Sequence, residues 1–284
     1  MKTRAVVLTA AALGCFAGNS LLCRPALAGG SIDATTFTAV RLASGAAVLA
    51  VLARGRPYDV RTARAKWTSA AALFVYAAPF SYAYLKLGAA IGALILFACV
   101  QATMIGWGVS RGERPTRVAW VGIAVALAGL VTLTVPGKSA PDPLGAAVMA
   151  LAGVAWAVYT LLGRATPGDP VAMTASSFAR AVPMVGVLAA IVMPIFGVHA
   201  SPRGVALAAT SGALASGVGY SIWYAALTHL SVTRAAVLQL LVPVLSAAGA
   251  VALLGESVSA RLVGASAAIL GGVAITISAR ARAS

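Results

Sequence analysis

Two arginines lie inside long apolar stretches, where a charged side chain is unusual. Arg41 lies about a third of the way into the apolar run 34–53, and Arg180 has a similar place in the run 171–197. In lipid such a side chain costs roughly 2.5–3.5 kcal/mol at the bilayer centre, and less near a helix end, where it can snorkel. Two interpretations stay open for each arginine: it attracts an anion on a substrate path, or it snorkels or binds helix-end carbonyls.

Two glutamines lie in comparable apolar surroundings, at Gln101 and Gln239. An amide side chain both donates and accepts hydrogen bonds, which suits zwitterionic or amide ligands. Pro243 follows Gln239 by four residues, so the proline leaves the Gln239 carbonyl unpaired within its helix. Carriers commonly build sites from such broken helices near mid-membrane. The alternative is hydrogen bonding between helices, worth ~0.6 kcal/mol per bond.

Aromatic side chains recur at helical spacing, so that they share faces of three apolar runs. These faces are Tyr76, Phe80 and Tyr84; Trp156 and Tyr159; and Tyr220, Trp223 and Tyr224. Asn19 takes the position of Tyr159 when the two halves of the chain are aligned as described below. Such faces line either an amphipathic cavity, with hydroxyl groups to orient a ligand, or an ordinary packed core.

Acidic and histidine side chains are absent from the middle of the apolar runs. They lie in connectors or at helix ends, as Asp33, Asp59, Glu113, Asp142, Asp169, Glu256, His199 and His229. No carboxylate is therefore placed to carry a coupling proton through a membrane. If the chain moves a solute, this pattern favours facilitated diffusion or exchange.

Motifs of catalysis and of metal binding are also missing. The sequence contains no HExxH, no GxSxG, no Walker-type phosphate loop and no paired carboxylates. Cys15, Cys23 and Cys99 lie in apolar runs without CxxC spacing, which excludes a disulfide framework or a zinc site. We therefore predict that the protein is not an enzyme and has no catalytic residues, metal site or cofactor.

The composition places these residues in a membrane. Of the 284 residues, 61% are hydrophobic and only 10% are charged, and the net charge is +15. A soluble domain carries about a quarter charged residues. The basic residues sit in short segments between apolar runs, where they set membrane orientation, so nucleic acid is excluded as a partner and the lipid bilayer is expected.

Ten apolar runs are long enough to cross roughly 30 Å of hydrocarbon. They are 5–23, 34–53, 68–85, 89–109, 118–135, 144–163, 171–197, 204–227, 233–254 and 262–279. With the N-terminus inside, fourteen basic residues fall on the inside, five outside and two within spans, which accounts for all 21. This bias predicts that both termini are cytoplasmic. The alternative is that residues 1–28 form a signal peptide cleaved at an A-x-A site, which leaves nine helices.

The two halves of the chain align with each other. Gly112-Glu113 matches Gly255-Glu256 at an offset of 143, and Arg41 matches Arg180 at 139. This predicts two five-helix repeats, 1–140 and 141–284. Because five is an odd number, the second repeat inserts upside down, an arrangement that recurs in transporters with alternating access.

Glu113 and Glu256 follow glycines at matched positions, just before the fifth and tenth runs. A negative charge at a helix N-terminus is stabilising by roughly 0.3–1 kcal/mol. We expect each glutamate to cap the helix that follows it, and a gate contact is the alternative.

Several of these positions together resemble a known family. Gly219-Tyr220, Leu241-Val242-Pro243-Val244, Gly255-Glu256 and Gly271-Gly272 are similar to the C-terminal half of EamA-type carriers of the drug/metabolite transporter superfamily. Tyr82-Ala83, Gly112-Glu113, Gly122 and Gly129 resemble the N-terminal half. One departure is that Val100-Gln101 stands where the second half has Pro243-Val244.

The resemblance implies an all-α integral membrane protein of ten transmembrane helices in two inverted repeats. It implies a secondary transporter in the bacterial inner membrane that exports or exchanges small metabolites, such as amino acids or related compounds, by alternating access. In the proteins that this chain resembles, helices 1, 3, 4, 6, 8 and 9 supply the central cavity. The alternatives are a membrane scaffold or assembly protein, a membrane-embedded enzyme, or a channel. The expected partners are a small-molecule substrate and lipid, for a monomer or a weak homodimer.

Overall fold

The structure, a computed structural model, describes residues 3–56, 63–112, 116–134, 141–166, 168–230, 235, 238–239 and 241–281. These residues are almost entirely helical. In chain order the helices are α1 (Thr3–Ala28), α2 (Ala34–Leu52), α3 (Ala63–Ala83), α4 (Ala89–Ser110), α5 (Arg117–Thr134), α6 (Pro143–Ala165), α7 (Pro170–Phe196), α8 (Pro202–Leu227), α9 (Leu241–Leu254) and α10 (Ala260–Ala281).

Within the described residues, six helices are long and apolar enough to cross a membrane: α1, α2, α4, α6, α7 and α8. Shorter apolar stretches occupy Arg117–Gly129, Leu241–Leu254 and Ala260–Thr276. The prediction of a multi-pass, all-helical membrane protein is confirmed. The number of ten spans stays a prediction, and the first residues predicted for the ninth span, 233–240, are described only in part.

The helices pack across the two halves of the chain. The α5 helix lies against α10, and α2 lies against α7. The α6 helix contacts α3 and α4, and α1 contacts α8 and α9. The α8 helix also packs on α2, and α7 packs on α3. The first five helices are therefore interleaved with the last five, which puts side chains from both halves into one core.

Helix α8 is not α-helical along its whole length. Residues Ser211–Val218 form a π-helical stretch between two α-helical segments. A Cβ atom at Gly212 would collide with the carbonyl oxygen of Arg41 and with the Ser44 hydroxyl, so glycine lets α8 approach the α2 backbone. Stretches of π-helix frequently mark functional sites. Here the stretch lies against the buried arginine of α2.

Three aspartates begin helices, at Asp33, Asp142 and Asp169. Each carboxylate accepts a hydrogen bond from a first-turn N–H group, at 2.8 Å in α2, 2.7 Å in α6 and 2.9 Å in α7. Such caps stabilise a helix by about 1 kcal/mol. The placement of these acids at helix ends agrees with the sequence.

The glutamate at residue 256 caps a different helix from the one predicted. Its carboxylate accepts the N–H of Ala89 at 2.8 Å, at the start of α4, and lies 3.7 Å from the Nε atom of Arg24. The prediction that Glu256 caps α10 was therefore wrong. The Ser259 hydroxyl caps α10 instead, since it accepts the Leu262 N–H at 3.1 Å. Glu113 lies outside the described residues.

The aspartate caps predict a stability that falls at low pH. Burial by itself raises the pKa of Asp33 and Asp169, but the donors around each carboxylate outweigh it, and both pKa values lie below the ordinary 3.8. At Asp142 the Gly145 N–H is the largest cause of a lowered pKa. A carboxyl group whose pKa is lower in the folded than in the unfolded protein stabilises the fold at pH values above its unfolded pKa. That stabilisation is lost as the pH falls through its folded pKa.

We therefore expect the melting temperature in lipid nanodiscs to be flat from neutral pH to about pH 4.5 and to fall below about pH 4. The triple variant Asp33→Asn, Asp142→Asn, Asp169→Asn keeps cap acceptors but cannot titrate, so its fall should be smaller. Tryptophan fluorescence melting curves measure both proteins. An identical fall in the variant would show that other groups control the acid response.

Candidate functional site

The arginine of α2 is the centre of a polar cluster between helices. Arg41 is 1% exposed. Its Nε atom donates to the Ser216 hydroxyl at 3.0 Å, and its Nη2 atom donates to the hydroxyls of Tyr220 at 2.8 Å and Tyr76 at 3.1 Å. Its Cζ atom lies 4.9 Å from the centroid of the Phe80 ring. The guanidinium therefore joins α2, α3 and the π-helical stretch of α8.

This buried cation has no acidic partner in the described part of the chain. The ion pairs there are Arg24–Glu256, Arg56–Asp169 and Lys86–Asp142, all near helix ends. Neutral hydroxyls and ring faces alone meet the Arg41 charge, and its Nη1 atom has no hydrogen-bond partner among the described residues. Burying a charge without a counter-charge is costly unless another group compensates it.

A second polar chain continues from Tyr76 into α1. Asn19 Nδ2 donates to the Tyr76 hydroxyl at 3.3 Å, and the Ser211 hydroxyl donates to Asn19 Oδ1 at 2.6 Å. The Cys23 thiol lies 3.7 Å from the same Asn19 oxygen. These contacts connect α1 to the π-helical stretch and to the tyrosine that binds Arg41.

The three aromatic faces expected from the sequence come together around one residue, Trp156. Its ring centroid lies 4.7 Å from that of Tyr220, 5.0 Å from Tyr76 and 5.4 Å from Phe16. Its indole N–H donates to Gln239 Oε1 at 3.1 Å, which links the cluster to residues before α9. Edge-to-face and tilted pairs of this kind add about 0.5–1.5 kcal/mol each beyond burial.

A small cavity of about 10 Å³, room for about one water molecule, lies in the middle of this cluster. It is lined by Phe16, Asn19, Ser20, Tyr76, Phe80, Leu96, Phe97, Trp156 and Tyr220. All nine side chains are buried, so the cavity is closed in this structure. Its walls come from α1, α3, α4, α6 and α8. An apolar lining with a few converging polar groups is the usual composition of a small-molecule site.

Four predicted aromatics stand one layer behind the cavity. Tyr84 packs edge-on against Phe80 at 4.8 Å, and Trp223 packs against Phe16 at 5.6 Å. The Tyr224 hydroxyl donates to the Tyr159 carbonyl at 3.1 Å. These rings support the lining residues without facing the cavity themselves.

Three predicted site residues lie elsewhere. Gln101 lines a separate apolar cavity between α4, α5 and α10, beside Thr276. Arg180 is partly exposed, and its Nη1 atom donates to the Ser176 carbonyl at 3.1 Å and to the Ser176 hydroxyl. Pro243 is buried in the first turn of α9. Arg41 and Arg180 therefore differ in their surroundings although their positions match in sequence.

The structure adds site residues that the sequence did not single out: Phe16, Ser20, Cys23, Leu96, Phe97, Ser211 and Ser216. Ser211 and Ser216 are five residues apart, which places them on different faces of an α-helix. The i→i+5 pattern of the π-helical stretch brings residues at this spacing closer to one face. In the sequence, the only feature that pointed to these two serines was the run of small residues in α8.

Comparison with known proteins places the chain in a family. Residues 143–278, from the start of α6 into α10, match the EamA-like transporter family. An uncharacterized protein of Pseudomonas aeruginosa is 49% identical over 281 residues, which are 98% of this chain and 96% of that protein. The chain belongs to the EamA-like transporter family. This confirms the resemblance to the drug/metabolite transporter superfamily.

Two more distant proteins are similar to the chain in sequence or in fold. A protein of Archaeoglobus fulgidus named as an uncharacterized transporter is 30% identical over 175 residues, which cover 59% of this chain and 60% of that protein. A solved crystal structure shares the fold with a TM-score of 0.71 at 22% identity, covering 97% of this chain and 98% of the other. The family match contains Trp156 and Tyr220, whereas Arg41, Asn19 and Tyr76 come from the first five helices.

Proposed function

We propose that this EamA-like protein is a secondary transporter that exports or exchanges a small metabolite, an amino acid or a related compound. The observation that carries the proposal is the closed amphipathic cavity at the centre of the bundle, with a buried arginine that binds the hydroxyls of Tyr76 and Tyr220 in its wall. A packed scaffold has no need of a central cavity bordered by an uncompensated cation. The proposed substrate site has two parts. Asn19, Tyr76, Phe80, Trp156 and Tyr220 line the cavity, and Arg41 binds two of these residues, Tyr76 and Tyr220.

The pattern of helix contacts supports two inverted repeats, 1–140 and 141–284. In two inverted repeats each helix has a counterpart five places later, α1 with α6, α2 with α7 and so on. The counterpart of the α3–α6 contact is then α8–α1, that of α4–α6 is α9–α1, and that of α2–α8 is α7–α3. All of these pairs are in contact. Two arginine contacts follow the same rule. Arg24 donates to the Tyr84 carbonyl at 3.2 Å, and Arg164 donates to the Leu230 carbonyl at 2.9 Å.

Contacts at the two ends of the bundle support alternating access. At one end the loop before α2 pairs with the loop before α8: Ser201 N–H donates to the Ser31 carbonyl at 2.7 Å, and Asp33 N–H donates to the His199 carbonyl at 2.8 Å. At the other end Arg56 and Asp169 form an ion pair at 3.0 Å. Opening one set while the other holds would expose the cavity to one side at a time.

The orientation that we propose has both termini in the cytoplasm, in the bacterial inner membrane. Three exposed tryptophans, Trp67, Trp107 and Trp120, flank the basic connectors assigned to the inside. The Arg111 guanidinium lies 4.5 Å from the Trp107 ring centroid. Tryptophan and arginine at one membrane face are typical of an interfacial belt on the cytoplasmic side.

The proposal predicts that Trp156→Ala lowers metabolite efflux at least tenfold. The truncation removes the ring that joins the aromatic faces, and a site that must hold its ligand in a defined pose loses rate when a wall is missing. Metabolites in the medium are compared between bacterial cells producing wild type and variant at equal membrane levels. One compound or a few related compounds should accumulate outside only the wild-type cells.

Trp67→Ala serves as the matched control, because Trp67 is exposed at one end of the bundle. It should keep wild-type efflux. If wild type and Trp156→Ala release the same metabolites in the same amounts, the exporter proposal is contradicted, and a scaffold becomes the better interpretation.

A further inference from the structure

We infer that the substrate carries one negative charge, a carboxylate, which Arg41 binds at the wall of the cavity. This inference rests on the proposed function and names its substrate class. Arg41 is fully buried, and its described hydrogen bonds all end on neutral hydroxyl oxygens. A buried cation without a counter-ion is destabilising, and an anionic ligand supplies the missing charge.

One hydrogen-bond donor of the Arg41 guanidinium remains for a carboxylate oxygen. The Tyr76 hydroxyl is engaged with Arg41, Asn19 and Tyr220, but Arg41 Nη1 has no partner in the described part of the protein. Charge-assisted bonds from such a donor are about twice as strong as neutral ones.

The guanidinium is adjacent to the cavity. Its Cζ atom lies 4.9 Å from the Phe80 ring centroid and 5.3 Å from that of Tyr76, and both rings line the cavity. The remaining walls, from Phe16, Phe97 and Trp156, are mainly aromatic. A carboxylate with an apolar or aromatic body matches this lining, and the cavity must widen to hold it.

The charge of the ligand is limited to one. Other described cations near the bundle are engaged elsewhere: Arg24 pairs with Glu256 at a helix end, and Arg180 binds the carbonyl of its own helix. A phosphate dianion would meet only one positive charge and would carry an uncompensated negative charge into the cavity. The site should therefore prefer a carboxylate to inorganic phosphate.

The test uses the full chain purified in lipid nanodiscs. The probes are benzoate and 3-phenylpropionate, each with its neutral amide, and inorganic phosphate. Binding is measured by the rise in melting temperature and by the change in tryptophan fluorescence, since Trp156 lines the cavity; empty nanodiscs correct for partition into lipid. We expect at least one carboxylate to bind wild type at least tenfold more tightly than its amide, and phosphate to give no response.

The matched variants are Arg41→Gln and Arg180→Gln. Arg41→Gln should lose the preference for carboxylate over amide, and Arg180→Gln should keep it. If Arg41→Gln does not assemble, Arg41→Lys replaces it; this variant keeps the charge and should bind carboxylates more weakly than wild type while still preferring them to amides. Equal binding of acid and amide, tight binding of phosphate, no binding of either carboxylate, or an unchanged preference in Arg41→Gln would overturn the inference.

Failure of this inference is distinguishable from failure of the proposed function. Efflux of a neutral or cationic metabolite that Arg41→Gln leaves unchanged would overturn the carboxylate site and leave the exporter in place. Carboxylate binding in nanodiscs without efflux of any metabolite would support the site and contradict the exporter.

Discussion

Replacing Gly212 with alanine is expected to reduce efflux at least tenfold while the protein still reaches the membrane. A Cβ atom there would collide with the Arg41 carbonyl oxygen, which is backbone and cannot rotate away. The π-helical stretch of α8 must then move off α2, and Ser216 loses its 3.0 Å hydrogen bond to Arg41 Nε. A displacement of about 1 Å at a positioned site can cost 10²-fold in rate. Efflux per unit of membrane protein measures the effect.

Gly186→Ala in α7 is the control for this prediction, because nothing lies within 4 Å of a Cβ atom there. It should leave efflux unchanged, since alanine also favours helix over glycine by about 1 kcal/mol. Equal efflux from Gly212→Ala and wild type would mean that the contact between α2 and the π-helical stretch is not needed for transport.

The second large effect concerns stability and the contact between α5 and α10. Gly122 and Gly272 face each other so closely that a Cβ atom at either would collide with the carbonyl oxygen of the other. Small residues at such a crossing allow backbones to approach, which is a main source of helix association in membranes. We expect Gly272→Leu to destabilise the protein by about 3 kcal/mol, which corresponds to a melting temperature about 10 °C lower.

The adjacent glycine provides the control. A Cβ atom at Gly271 meets nothing within 4 Å, so Gly271→Leu adds the same side chain to the same helix without a collision. Its melting temperature in nanodiscs should stay close to that of wild type. Similar losses in both variants would indicate a cost of leucine in α10 itself, rather than separation of α10 from α5.

The closed cavity and the contacts at both ends match an occluded state of the transport cycle that we propose. Residues 31–33 meet 199–201 at one end, and Arg56 meets Asp169 at the other, in contacts that each join the first half of the chain to the second. Under the proposed function, a substrate reaches the cavity when one of these contacts opens. The ion pair at one end and the backbone pairing at the other are weak individually, which suits contacts that must break and reform.

Much of this architecture follows from the sequence by itself. Composition alone requires lipid, and the spacing of Tyr76 and Phe80, like that of Trp156 and Tyr159, already places aromatic faces on single helices. The ends of the helices are also readable, because Asp33 and Asp169 are strong local caps whose effect needs no tertiary partner. These features are local or periodic, so they can be predicted from the amino-acid sequence alone.

The tertiary structure decided which of the candidates share a site. Arg41 and Arg180 occupy matching positions, but only Arg41 meets hydroxyls from α3 and α8, whereas Arg180 turns to its own helix. Gln101 lies in another cavity, and Glu256 caps a helix far from it in sequence. The environment of a side chain in a bundle is set by the neighbouring helices, and helix crossings are fixed by small-residue contacts between distant segments. Periodicity within one helix cannot specify those partners.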